Sequence, residues 1–416
     1  MLNIAILGYG VVGSGVYEVI KLNKELISKR VFFKQINVKY ILDIHDFKGE
    51  EIENLVTNNI NDILDDDSVE LVVETMGGLK PAYGFVKSAL LRGKSVVTSN
   101  KELVAAHGAE LLEIAMAKEI NFLFEASAGG GIPIIRSIKQ ALTADDIFEM
   151  KGILNGTTNY ILTKMTRDGI AFEEALKRAQ EKGYAEKDPA DDIGGVDTGR
   201  KLAILLSLIS GKSVDYDDLE IRGIESVKPE DIAFAKEIGG VFRLIASAKK
   251  LNGAYSAAVM PVILRDDSPL YGIHSVFNSI LLKGNAVNEL MFYGKGAGKM
   301  PTASAVVGDI IDALRHDKKN IGYFWSKEKQ EIVSFDYVKH NSFVRVKTNS
   351  RDKLFEELIN WGVETVISHT GYPEDAAFVT KSIDKAGLSR ELDILKDKNL
   401  ISGVCNIFSI EYEVQP

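Results

Sequence analysis

The strongest constraint on the fold lies in the first twenty residues. Leu2–Leu7 is a short, mostly apolar run that reads as a strand. It passes directly into Gly8-Tyr9-Gly10-Val11-Val12-Gly13, and Val16, Val19 and Ile20 follow at helical spacing. Between a first strand and a first helix each glycine has a mechanical task. Gly8 makes the tight turn, Gly10 lets the backbone approach a pyrophosphate, and Gly13 lets helix and strand pack closely. The helix N-terminus adds free N–H groups and partial positive charge. Gly8, Gly10, Val11, Val12 and Gly13 are therefore expected to cradle a dinucleotide.

The second strand, Ile36–Leu42, ends at Asp43, which is placed to accept hydrogen bonds from an adenosine ribose and to repel a 2′-phosphate. No arginine occurs over 41–50 and only Lys48 could meet such a phosphate, so NAD is favoured over NADP. Further strands at Val69–Glu74, Ser95–Thr98 and Asn121–Glu125 alternate with helices, the pattern of a doubly wound parallel sheet. Met76-Gly77 and Ser99-Asn100-Lys101 fall on loops at strand ends, where a ligand binds and where a functional lysine is expected.

With 416 residues the chain needs more than one core. A net charge of -9 without a basic block argues against nucleic acid, and no apolar run reaches membrane-spanning length. The start lacks a basic leader and Cys405 is the only cysteine, which points to the cytoplasm and excludes an internal disulfide.

Glu125-Ala-Ser-Ala-Gly-Gly-Gly-Ile-Pro133 joins the first fold to the next. Its carboxylate and exposed carbonyls suit a monovalent cation, and a glycine-rich hinge fits the same residues. Asn155-Gly-Thr-Thr-Asn-Tyr160 is a polar turn opening a helix, suited to a small zwitterion. Gly183–Lys201 then packs Glu186, Asp188, Asp191, Asp192 and Asp197 ahead of Arg200 and Lys201. From Val196 the sequence reads as an apolar helix with Asp197 and Lys201 one turn apart on one face. An exposed ion pair is the commoner fate of that spacing. A helix this apolar argues instead for a semi-buried pair with a task, such as a lysine that carries protons beside carboxylates.

Four segments together resemble homoserine dehydrogenases: Gly8–Gly13; Ser99–Lys101; Glu125–Pro133 with Gly152–Tyr160; and Ala179–Lys201, in which Gly183, Asp188-Pro189, Asp192, Gly195, Asp197 and Lys201 stand in register with the family pattern. The resemblance runs over about residues 1–325. It implies NAD(P)-dependent interconversion of L-homoserine and L-aspartate 4-semialdehyde. Lys201 would be proton donor or acceptor, and Lys101 would lie between substrate and nicotinamide. Glu186, Asp192 and Asp197 would hold the amino acid, while Gly183 and Gly298 would touch the cofactor. Glu125 with the carbonyls of Ala128, Gly130 and Ile132 would match the family's sodium site. The resemblance also implies an open-sheet substrate domain at 131–294 that dimerises, next to a Rossmann-type domain at 1–130 to which the chain returns at about 295–325. The subunits would form a homodimer or homotetramer. An acyl-enzyme route would need a nucleophilic cysteine, and Cys405 near the far end is a poor candidate.

After a polar linker at 326–341, residues 342–416 read as strand, helix, two strands, helix and strand. This βαββαβ order is similar to ACT domains, which bind amino acids, so threonine is a possible effector and oligomerisation the plainer role. Two other readings fit less of the sequence. A non-catalytic nucleotide and amino-acid sensor would not need Lys101 and Lys201 together. A dehydrogenase for another small amino or hydroxy compound would use the same architecture.

Overall fold

A computed structural model describes residues 1–316 and 319–411. The chain forms two compact units. The first comprises Met1–Ile147, Arg200–Tyr216 and Gly284–Gln330; the second comprises Phe148–Gly199, Asp217–Lys283 and Glu331–Pro416. Among the described residues no helix is long and apolar enough to cross a membrane.

The first unit is built on a parallel sheet of β1 (Leu2–Leu7), β2 (Ile36–Leu42), β3 (Val56–Thr57), β4 (Leu71–Glu74), β5 (Ser95–Thr98) and β6 (Phe122–Leu123), in the spatial order 3-2-1-4-5-6. Residues of β1, β4 and β5 are buried on both faces because helices cover both sides, hence their nearly continuous apolar text. The strand order reverses between β1 and β4, so their carboxyl ends open a crevice of the kind that takes ligands in such sheets. α1 (Val11–Leu22) follows β1, α2 (Ala82–Leu91) follows β4, and α3 (Lys101–Ala117) follows β5. The helix Lys299–Arg315 belongs to this unit. It packs so closely on α1 that a Cβ at Gly15 would sit 3.0 Å from the Ala303 side chain.

The second unit is organised on a mixed sheet that starts with β7 (Ile147–Ile153). From β7 the chain forms α4 (Gly156–Asp168) and α5 (Phe172–Glu181), then α6 (Val196–Ser210), whose later turns count with the first unit. α7 (Pro229–Lys236) precedes β8 (Val241–Leu251), β9 (Ala254–Leu264) and β10 (Phe277–Gly284). The C-terminal stretch gives β11 (Asn341–Lys347), α8 (Arg351–Trp361), β12 (Thr365–Ile367), β13 (Asp375–Val379), α9 (Lys385–Asp397) and β14 (Gly403–Glu411), the expected β-α-β-β-α-β order. In the sequence Val404–Glu413 reads as the last strand; Tyr412 and Glu413 lie outside the described residues. Strands run in the order β10-β7-β8-β9-β14-β11-β13-β12. One sheet thus continues from the substrate strands into the C-terminal module, joined where Val262, Ile263 and Leu264 pair in parallel with Ser409, Ile410 and Glu411.

Two apolar clusters hold this unit. One gathers Ile153, Ile245, Met260, Leu270 and Leu281, and the other gathers Val344, Leu354, Leu358, Phe378 and Leu392. A buried ion group supports the join. Arg345 donates from Nε to Asp231 Oδ1 at 2.6 Å and pairs with Asp375, and Asn406 Nδ2 donates to Asp231 Oδ2 at 2.6 Å. The stretch read as linker carries two short strands, Ser326–Lys329 and Ile332–Val333. The second pairs with β9 at Tyr255 and Ser256 and satisfies that strand's edge.

Candidate active site

In the first unit the glycine turn has the geometry its spacing implies. Gly8 takes φ +89 and donates its N–H to Leu42 O at 2.8 Å. A Cβ on Gly13 would lie 2.0 Å from Gly8 O, so only glycine fits there. Nothing lies within 4 Å of where a Gly10 Cβ would be, and no side chain caps α1. An uncapped helix start beside an unobstructed glycine is a ready anion site. Val11 is exposed and Val12 half-buried at its first turn.

Asp43 follows β2 beside the glycine turn. Its Oδ2 accepts the Tyr9 N–H at 2.7 Å and its Oδ1 accepts the His45 N–H at 3.0 Å, with His45 Nδ1 at 2.8 Å. Burial works against the charged carboxylate, but the His45 and Tyr9 N–H bonds outweigh it and hold the group below its ordinary value.

Across the crevice a residue overlooked in the sequence organises two loops. Glu74, fully buried at the end of β4, accepts N–H bonds from Met76 at 2.8 Å and Gly77 at 3.2 Å, and the Thr98 hydroxyl donates to its other oxygen. Burial raises its pKa. Asn100 Nδ2 donates to Gly78 O at 2.6 Å, while its Oδ1 accepts the Leu103 N–H at 3.1 Å and caps α3. The Met76–Gly78 and Ser99–Lys101 loops are thereby locked together, and Lys101 becomes the first residue of α3. Arg200 Nη1 lies 3.6 Å from Glu102 Oε1, which ties the start of α3 to α6. Lys101 and Lys201 each adjoin one member of that ion pair in sequence, and both are half-buried.

The second unit carries the acidic loop. Asn155 caps α4 through Oδ1, which accepts the Thr158 N–H at 2.8 Å; its Nδ2 donates to Asp192 Oδ1 at 2.7 Å and to Asp197 Oδ2 at 2.9 Å. Asp197 is 4 % exposed, so the amide removes a cost that a lone buried carboxylate would carry. The Thr157 hydroxyl donates to Tyr184 O at 2.7 Å, and Tyr184 packs edge-on against Tyr160, fixing the loop after Gly183, which has φ +71. Asp192 and Asp197 are brought together; Glu186 is not held with them, its carboxylate being exposed. Asn155 was read only as part of a polar turn. Its signal was an amide two residues after a strand and three residues before Thr158.

Glu125 is buried beneath the glycine hinge, again in the first unit. Its oxygens accept the N–H groups of Ile135 and Arg136, each at 2.8 Å. Arg136 donates to Asp309 at 2.7 Å and Asp312 at 3.1 Å, and Asp309 also accepts the Glu125 N–H. Asp309 and Asp312 thus share one guanidinium, and the Glu125 carboxylate is held by backbone N–H groups beside it. Burial raises the pKa of Glu125 and pushes Asp309 up to about 8. Gly130 takes φ +57 with Gly296 O directly over it, and the Ile132 carbonyl already accepts the Ile134 N–H. Among the described residues no three His, Cys, Asp or Glu side chains are grouped to hold a metal. Gly298, at φ +115, sits at the N-terminus of the Lys299–Arg315 helix.

Family models match most of the chain: "Homoserine dehydrogenase, NAD binding domain" over residues 8–125 and "Homoserine dehydrogenase" over 133–311. The chain belongs to the homoserine dehydrogenase family. It is 33 % identical over 99 % of its length to the homoserine dehydrogenase of Bacillus subtilis, 98 % of which is covered. It is 41 % identical to that of Synechocystis over 75 % of this chain and 73 % of the relative. The crystal structure of a homoserine dehydrogenase from Thiobacillus denitrificans superposes with a TM-score of 0.88 at 30 % identity, covering 99 % of this chain and 98 % of that one. A hyperthermophilic archaeal homoserine dehydrogenase in complex with NADPH gives 0.64 at 29 % identity, over 75 % of this chain and 97 % of that one. As a homoserine dehydrogenase the protein is an NAD(P)-dependent oxidoreductase of amino-acid biosynthesis acting on an amino-acid substrate.

Proposed function

We propose that Lys201 carries the proton in this reaction. Asp197 orients it from one turn away, and Lys101 stands toward the nicotinamide. Asp192 and Glu186 meet the substrate ammonium, with Glu186 reaching it only when substrate draws its exposed side chain inward. The observation that carries the reading is the Asn155 amide bonded to both Asp192 and Asp197, which fixes two carboxylates with a lysine next along the same helix. Bound nicotinamide supplies the hydride acceptor or donor. In the oxidative direction Lys201 Nζ takes the hydroxyl proton of homoserine; in the reductive direction it returns that proton to the aldehyde oxygen while its charge polarises the carbonyl. The test is the near-ultraviolet absorbance of reduced nicotinamide with L-homoserine against L-serine and 1-propanol. Turnover confined to homoserine supports the reading, and equal turnover of propanol contradicts the acidic recognition loop.

NAD is the preferred cofactor in this reading, on the strength of Asp43 held charged beside Tyr9 and of Lys48 paired with Asp46 at 3.0 Å. The remaining cofactor contacts would be the Gly8–Gly13 turn, Met76, Gly77, Ser99, Gly183 and Gly298. Glu125 and the carbonyls of Ala128, Gly130 and Ile132 would be the hard oxygens that hold a sodium ion; such an ion would brace the hinge and take no part in the chemistry. A homodimer or homotetramer and an amino-acid effector such as threonine at the C-terminal module complete the proposal. Threonine titrated into the full-length enzyme should alter its homoserine kinetics; unchanged kinetics would remove the effector.

A further inference from the structure

At the end of β2 an imidazole is presented to solvent while the carboxylate beside it is largely covered. The Asp43 side chain is 10 % exposed and both of its oxygens are engaged. Oδ2 accepts the Tyr9 N–H at 2.7 Å, and Oδ1 accepts the His45 N–H at 3.0 Å with His45 Nδ1 at 2.8 Å. The His45 side chain is 75 % exposed. A charged carboxylate only accepts, so Nδ1 is the nitrogen that carries the hydrogen facing Asp43. The other nitrogen, Nε2, then has two states. On the neutral ring it is an acceptor, and on the charged ring it is an N–H donor. The neighbouring charges are already committed. Lys48 pairs with Asp46 at 3.0 Å, Lys21 of α1 with Glu51 at 2.7 Å, and Glu18 of α1 with Lys299 at 2.8 Å. Glu50 adds an exposed carboxylate. Tyr9 and Tyr17 stay neutral, because burial raises both above their ordinary value. Of the groups around this stretch only the imidazole is of a type that changes charge between about pH 5 and 8.

We propose that His45 sets the choice of cofactor, and that it does so through its proton. With the ring neutral, Nε2 accepts a hydrogen bond from the 2′-hydroxyl of an adenosine ribose. The Asp43 charge then stands uncompensated against a phosphate. With the ring charged, the imidazolium offsets Asp43 and its Nε2–H donates to a 2′-phosphate. One proton thus exchanges a dinucleotide with a ribose hydroxyl for one with a ribose phosphate. The residue acts on binding and takes no part in the hydride or proton transfer. The inference rests on the reading that the adenosine end of the cofactor meets Asp43.

The test measures binding of NADH and NADPH to the full chain by nicotinamide fluorescence, at about pH 6 and about pH 8.5 and one low ionic strength. In the parent the affinity for NADPH relative to NADH should fall about fivefold over that rise in pH, the upper reach of an exposed ion pair. His45→Gln keeps a polar side chain and leaves only the second ionisation of the 2′-phosphate, at about pH 6, to act. It should bind NADPH about fivefold more weakly than the parent at the lower pH and equally at the higher. His45→Lys, charged at both, should bind NADPH more tightly than the parent at the higher pH. Equal NADPH binding by the parent and His45→Gln at both pH values overturns the inference. So does a loss of the same size at both, which would mark the imidazole as structural only. Asp43→Asn separates the inference from the reading beneath it. A changed NADPH-to-NADH ratio in that variant, with His45→Gln like the parent, overturns only the role of His45. An unchanged ratio in both variants overturns the placement of the adenosine end as well.

Discussion

The amide of Asn155 donates to the buried carboxylate of Asp197 at 2.9 Å and, with its second hydrogen, holds Asp192 at 2.7 Å. One side chain two residues after a strand therefore sets the spacing of two acids that come from a one-turn helix, Ala190–Ile193, and from α6. Asn155→Ala leaves Asp197 buried with that donor gone. The expected outcome is a fall in kcat/KM for homoserine of about 10–100-fold with the cofactor KM unchanged, from about 1–3 kcal/mol of lost charge-assisted hydrogen bonding. Asn155→Ser, able to donate one bond, should recover part of it. Steady-state kinetics of the three proteins checks this, and an unchanged kcat/KM in the alanine variant contradicts the role.

Cofactor choice is expected to turn on Asp43. With its carboxylate held charged between the N–H groups of Tyr9 and His45, it would repel a 2′-phosphate. Asp43→Asn should raise the KM for NAD and lower that for NADP, narrowing the ratio by about tenfold, the effect of one charge interaction of about 1.4 kcal/mol. The two cofactors measured side by side decide it, and an unchanged ratio would move discrimination elsewhere.

The C-terminal module is fastened by Arg345, which bonds Asp231 of α7 and Asp375 of β13 with all three side chains buried. Removing one partner leaves charges without compensation inside the protein. Asp231→Ala should cost about 3–5 kcal/mol, because the pair itself contributes little while a broken one is strongly unfavourable. The variant should unfold at a lower urea concentration than the parent. Equal midpoints would mean that the sheet pairing alone holds the module.

Acid should weaken the ion pairs that Lys151 of β7 makes with Glu149, at 2.9 Å, and Glu411, at 2.8 Å. Burial opposes the charged form of Glu149, but Lys151, Lys249 and Lys283 outweigh it and hold the carboxylate below its ordinary 4.5. A depressed carboxylate contributes stability that is complete above the unfolded value and is lost as pH falls through the folded one. The gap in melting temperature between the parent and Lys151→Met should therefore be widest near neutrality and close as the pH drops below 4.5. A gap that stays constant with pH would contradict the electrostatic origin.

Local features were legible in the sequence and contacts between distant segments were not. The Gly8–Gly13 turn is written in six consecutive residues because the strand, the turn and the helix it joins are adjacent. Asp197 and Lys201 could be paired by helical period alone. The clamp on Asp197 spans 42 residues and the bond from Glu125 to Asp309 spans 184, separations that no periodicity encodes. Asp309 did leave a trace, as an acid beside Ile310 in an otherwise apolar helix with Asp312 three residues on. The continuity of the sheet through β9 and β14 was hidden for a similar reason. β9 is buried along its whole length, but its text does not say which strand covers its edge.

The proposed proton carrier is Lys201. The most direct measurement is kcat for homoserine oxidation by Lys201→Ala and Lys101→Ala at saturating cofactor, with nucleotide binding measured separately. A loss on the order of 10²-fold or more is expected for Lys201→Ala with cofactor affinity retained, the usual reach of general acid–base catalysis. A near-normal kcat for Lys201→Ala alongside a collapsed kcat for Lys101→Ala would contradict it and transfer the proton to Lys101.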